Sequence, residues 1–193
     1  MAKDDNKQKL IKATDALLKD RSITSITTKE ITKTAGVSVG VFYNYFSSKE
    51  DVFKELIKIF FNYSLKQMEV LRKEITGKNI RSEIKFKEFL INGIDNNWEN
   101  HFLNSDILLL SRKDEEFQKL MFYFNQEMVV LVVDILIVIN PELQENPPLL
   151  EAKMIINLIQ NSYPSFSKFD CEDEKERYIE KFVNIIFSIS FNE

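Results

Sequence analysis

Ser38, Tyr43, Asn44 and Tyr45 fall within one short stretch, VSVGVFYNYF, and no lysine or arginine lies between Lys33 and Lys49. Hydroxyls and amides at helical spacing can bond the oxygens of a polyanion without carrying a formal charge. Gly40 is one of only four glycines in the chain and sits inside this otherwise helical run. Glycine there costs about 1 kcal/mol of helix propensity relative to alanine. The cost is offset if a Cβ at this point would press on a close-approaching partner.

The rest of the inventory excludes most catalysis. The chain of 193 residues has one cysteine, Cys171, and one histidine, His101. That rules out an internal disulfide and a thiolate-rich metal site, and no motif frames a nucleophile–base pair. Cys171 stands in the acidic run DCEDE, and a redox-sensor role is not expected of it. Neither an enzymatic activity nor a cofactor is expected. The N-terminus, MAKDDNKQKL, has no apolar core of signal-peptide length, and the most apolar run, 128–139, is interrupted by Asp134. A soluble cytoplasmic protein with no membrane partner is expected. Net charge is −4 overall, yet residues 1–60 carry +3 and residues 61–193 carry −7. The first third is therefore the part suited to something anionic.

Scarce Gly and Pro and recurring apolar residues at helical spacing predict an all-α fold of about nine helices. Leu10, Ile11, Ala13, Leu17 and Leu18 make the first helix amphipathic over about 5–20. Thr27 and Glu30 form a capping box, with Ile26 and Ile31 placed as a hydrophobic staple. Gly36 closes this second helix. Ser38 caps a third helix reaching to about Tyr45, and Ser47 with Glu50 caps a long fourth one ending at about Glu74. Helices follow at about 80–98, 105–111 and 114–139, then LLEAKMIINLIQN ending before Pro164, and a last one at about 173–190.

Two short helices joined by a glycine turn form a helix-turn-helix, whose second helix typically lies in the DNA major groove. Ile31, Ala35, Val37, Phe42 and Phe46 are placed to pack the helices together. Val39, Gly40, Tyr43 and Asn44 share the opposite face. Thr27-Thr28, Ile31, Ala35-Gly36-Val37-Ser38, Gly40, Tyr43, Tyr45-Phe46 and Ser48-Lys49-Glu50 together resemble the DNA-binding domain of the TetR family of bacterial transcriptional regulators (TetR/AcrR-like), over about residues 8–56. The division that follows is 1–47 for the helix-turn-helix domain and 48–193 for an effector-binding and dimerisation domain.

On this reading Thr28, Ser38, Tyr43 and Tyr45 bond phosphates, Lys29 and Lys49 supply charge, and Gly40 lets the DNA backbone approach. Asn44 can pair with an adenine edge, while Val39 and Val41 can touch a thymine methyl. Many relatives carry a basic residue where this chain has Val39. An operator rich in A/T, bound with modest affinity and little salt sensitivity, is expected.

The resemblance implies that the C-terminal helices make a homodimer and a pocket for a small-molecule effector of unknown identity. It also implies that the protein acts on a palindromic operator, usually as a repressor released by that ligand. Residues 149–159 and 178–191 are apolar nearly all round, which suits a core behind and a partner subunit in front. Leu150, Met154, Ile155, Leu158, Ile179, Phe182 and Ile186 are the candidate dimer residues. Trp98, His101, Phe102, Tyr123, Phe124, Asn125 and Met128 are the candidate lining for a small apolar or aromatic ligand. A helical protein-interaction scaffold that keeps the motif without specific DNA binding is the alternative, and the uncharged reading helix is its support.

Overall fold

The helix starts and stops written into the sequence account for most of the architecture. A computed structural model describes residues 2–76, 80–95, 102–166, 169 and 171–189, and all its regular elements are helical. In chain order these are α1 (Ala2–Leu18), α2 (Thr28–Ala35), α3 (Val39–Tyr43), α4 (Lys49–Glu74), α5 (Ile80–Asp95), α6 (Leu103–Ser111), α7 (Glu115–Ile139), α8 (Leu149–Phe166) and α9 (Glu172–Ile189). A short 3-10 turn at Pro141–Gln144 precedes α8.

At α2 the capping box forms as expected. Thr27 Oγ1 accepts the Glu30 N–H at 3.2 Å, and Glu30 Oε2 accepts the Thr27 N–H at 2.8 Å. Gly36 ends the helix in the left-handed region at φ 67°, with its N–H on the Lys33 carbonyl and the Val37 N–H on the Thr32 carbonyl. The start of α4 differs by one residue from expectation. Ser48 Oγ, not that of Ser47, accepts the Asp51 N–H at 3.2 Å, and the Asp51 carboxylate takes the Ser47 N–H at 3.1 Å. Since α4 begins at Lys49, the third helical position belongs to Asp51 instead of Glu50. α3 ends at Tyr43 and Asn44 caps it.

α8 also departs from the sequence reading, because it runs through Pro164 to Phe166. A proline this near the end removes only one helical hydrogen bond, which the last turn of a helix tolerates. α7 is long and apolar enough, by length and composition, to cross a membrane. Phe117, Phe124, Val129, Val132, Leu136 and Ile139 along it are buried, while Phe122, Tyr123 and Val130 are exposed.

The chain divides into two units. The first takes its described residues from 2–62 and 102–122, so α6 and the start of α7 join the helix-turn-helix and the first half of α4. Its core holds Leu10, Leu18, Ile26, Ile31, Phe42, Phe53, Ile57 and Phe117. Each such side chain contributes roughly 1.5–3 kcal/mol of burial. The second unit takes 63–95 and 123–189. There Phe86 of α5 meets Phe187 of α9 edge-on at 6.0 Å, and Lys87 bridges Glu176 and Glu180 at 3.0 and 3.1 Å.

Of the seven candidate dimer residues, Ile155, Ile179, Phe182 and Ile186 are buried in this second core. Their helical faces point inward, so they are residues of the subunit interior. Leu150, Met154 and Leu158 instead form an exposed row at four-residue spacing along α8, and Ile185 of α9 is likewise exposed.

Candidate nucleic-acid interface

The outward face of α3 is built by the packing of its inward face. Phe42 is fully buried and Phe46 nearly so, which turns the intervening positions to solvent. Phe42 also meets the Tyr43 ring edge-on at 5.4 Å, bracing a tyrosine that stays 59% exposed. Val39 is 42% exposed, and Gly40 and Asn44 lie open beside it. The four residues read from the sequence as one face are thus presented together.

Gly40 has no internal cause. A Cβ built there would meet only Ser38 Oγ, at an ordinary 3.8 Å, and the backbone φ is not positive. The fold would accept alanine, and the helix would prefer it.

Ser38 is exposed, and its hydroxyl accepts the Val41 N–H at 3.3 Å, so it caps α3 while facing solvent. Thr28 and Tyr45 are half-buried, and Val41 is also half-buried. Lys29 is exposed and forms no ion pair among the described residues. Lys49 is engaged: its ammonium donates to the Thr24 carbonyl at 3.1 Å and the Ile26 carbonyl at 2.8 Å. Two of its three protons hold the α1–α2 loop, which leaves one for an external acceptor.

The electrostatics around this face are set by short charged contacts. Arg21 pairs with Glu30 at 2.8 Å. That hydrogen bond, with those from Thr27, holds the Glu30 carboxyl down at about 2. Lys54 of α4 reaches Asp114, the residue before α7, at 2.7 Å. The contact raises the Lys54 pKa and lowers that of Asp114, which also accepts the Phe117 N–H at 2.9 Å. Asp106 of α6, which the sequence did not single out, is buried against the α1–α2 loop. No local signal marks it, because its partners lie more than 80 residues earlier.

The candidate ligand residues are placed less coherently. Trp98 and His101 lie outside the described residues. Phe102 and Tyr123 are exposed at 40% and 64%, and Asn125 is exposed too. Phe124 is buried, and Met128 packs against the core of the second unit. Successive helix positions point in different directions, so Tyr123, Phe124 and Asn125 cannot all line one cavity. Among the described residues no cluster of three or more His, Cys, Asp or Glu could hold a metal ion.

Residues 10–56 match the family model for bacterial regulatory proteins, tetR family. No curated protein matches the chain. Among solved structures, a candidate transcriptional regulator from Pseudomonas aeruginosa PAO1 is 17% identical, with TM-score 0.74 over 95% of this chain and 91% of that one. A candidate TetR-family transcriptional regulator from Mesorhizobium loti MAFF303099 is 15% identical, with TM-score 0.70 over 98% of each chain. SmeT, the repressor of the Stenotrophomonas maltophilia multidrug efflux pump SmeDEF, is 13% identical, with TM-score 0.61 over 97% of this chain and 91% of SmeT. Residues 10–56 are thus an amino-terminal domain of the kind found in bacterial regulatory proteins of the tetR family, and the chain as a whole shares the all-helical fold of these solved structures.

Proposed function

We propose that the protein is a cytoplasmic, homodimeric transcriptional repressor that binds a palindromic operator and is released from it by a small apolar or aromatic ligand. The observation that carries the DNA-binding part is Gly40. It interrupts an exposed helical face, and nothing within the fold requires it. Close approach of a DNA backbone supplies the missing reason. Val39, Tyr43 and Asn44 beside it supply methyl, hydroxyl and amide groups for base and phosphate contacts. Twofold symmetry would set two such helices about 34–36 Å apart, one turn of DNA.

Repression is supported by analogy of fold with SmeT, which represses an efflux pump. The exposed row on α8 supports the dimer. The scaffold reading retains one observation in its favour, the absence of any lysine or arginine between Lys33 and Lys49. Selection of duplexes from a random library, followed by binding of the enriched sequence to wild-type and Tyr43→Ala protein, decides between the two. A regulator enriches a palindrome, A/T-rich at its read positions, and loses affinity for it on substitution. A scaffold enriches nothing.

A further inference from the structure

The α1–α2 loop, residues 19–27, is held from two sides by side chains of opposite charge. From α4, Lys49 takes the carbonyls of Thr24 and Ile26. From α6, Asp106 takes two donors: Oδ1 accepts the Ser22 hydroxyl at 2.6 Å, and Oδ2 accepts the Ile23 N–H at 2.8 Å. Asp106 is only 2% exposed and forms no ion pair among the described residues. A buried carboxylate in that position depends on its hydrogen-bond donors, so the loop cannot slide along α6 without leaving the charge unsatisfied.

The loop leads directly into Thr27, which caps α2, and then into Thr28 and Lys29. We infer that Asp106 is a positioning residue for DNA binding: it fixes the α1–α2 loop in the one register that presents the amino terminus of α2 to the DNA backbone. This rests on the DNA-binding reading above. The acceptor pair of the carboxylate fixes where the Ile23 N–H points, and Lys49 fixes the carbonyls one and three residues later. Donors and acceptors of the loop are thereby oriented together, and Ile23 and Ile26 are buried beneath it.

The test compares three substitutions using the duplex that wild-type protein selects from a random library. Asp106→Leu keeps the size but removes both acceptors. Asp106→Asn keeps the Ile23 bond through Oδ1, and its amide can donate to Ser22 Oγ. The Ser22 proton can then turn to Thr24 Oγ1, 2.8 Å away. Asp114→Asn removes an ion pair of the same unit that reaches α4 instead of the loop. Dissociation constants are corrected for active fraction by stoichiometric titration, and amide exchange is followed at residues 22–28.

Asp106→Leu is expected to weaken binding about tenfold or more, with faster exchange at Ile23, while Asp106→Asn and Asp114→Asn stay within about threefold of wild type. Ser22→Ala, which leaves the carboxylate in place, covers the case in which the leucine variant does not fold; it is expected to weaken binding about fivefold or more, outside the range of the two asparagine controls. Wild-type affinity in folded Asp106→Leu or, failing that, in Ser22→Ala overturns the inference. So does a loss in Asp114→Asn equal to that in Asp106→Leu, since both would then report only general stability. If wild-type protein selects no duplex, the DNA-binding reading itself fails and the positioning role goes with it. The wild-type arm alone reveals that outcome, so the two failures are told apart.

Discussion

The ammonium of Lys49 lies 2.8 Å from the carbonyl oxygen of Ile26, in a contact that belongs to the fold before any DNA arrives. Read from the sequence alone, Lys49 is a phosphate contact. In the structure it also staples the α1–α2 loop, through Ile26 and through Thr24. Lys49→Met should therefore lower stability by about 1.5–3 kcal/mol, the range for hydrogen bonds that involve a charged group. Urea unfolding checks this. A residue used only for DNA would leave the midpoint unchanged while weakening binding.

The two glycines of the motif should respond in opposite senses. A Cβ at Gly36 would meet nothing within 4 Å, so Gly36→Ala is penalised by its positive φ alone, by about 1–2 kcal/mol. Gly40→Ala places its methyl in ordinary contact and should raise stability by up to about 1 kcal/mol. If DNA approaches as proposed, the same substitution weakens duplex binding. Thermal unfolding and a titration with the selected duplex separate the effects. A Gly40→Ala protein that is more stable and binds as before removes the reason given for that glycine.

Glu30 provides the clearest dependence on pH. Its folded pKa is depressed from 4.5 to about 2, chiefly by the Arg21 hydrogen bond. Between those values the unfolded chain binds more protons than the folded one. The contribution is thus fully present above about pH 4.5 and is lost as pH falls through about 2. The site is solvent-exposed, so salt should shrink the effect. Glu30→Gln is expected to flatten this part of the stability profile relative to wild type, and an unchanged slope would show that Arg21 and Glu30 are uncoupled in solution.

Local chemistry made the motif legible before any coordinates. Thr27, Glu30, Gly36 and Ser38 act through partners within a few residues, and each took the role expected from spacing. The start of α4 slipped by one because Ser47 and Ser48 are both competent caps, with Glu50 and Asp51 both able to answer. Spacing alone does not decide between the two pairs. Asp106 was illegible for another reason: its meaning lies in Ser22 and Ile23, which no periodicity connects to it. The apolar residues of α8 and α9 were ambiguous because a helix apolar on two sides does not announce which side its own chain will cover.

That ambiguity yields the last prediction. Ile155 is 1% exposed and Met154, its neighbour in sequence, is 56% exposed, so the two should fail differently. Ile155→Ala opens a cavity in the second core and should cost about 2–5 kcal/mol of subunit stability. Met154→Glu places a charge on an already solvated face, where the isolated subunit should tolerate it within about 0.5 kcal/mol. If Leu150, Met154, Leu158 and Ile185 meet the same surface of a second copy, that charge is doubled across a twofold axis and desolvated. Sedimentation should then show a dimer for wild type and a folded monomer for Met154→Glu. Loss of one half-site partner should weaken binding to a palindromic duplex far more than to a single half-site. A Met154→Glu protein that still sediments as a dimer would place the subunit contact elsewhere and leave this apolar row without a partner.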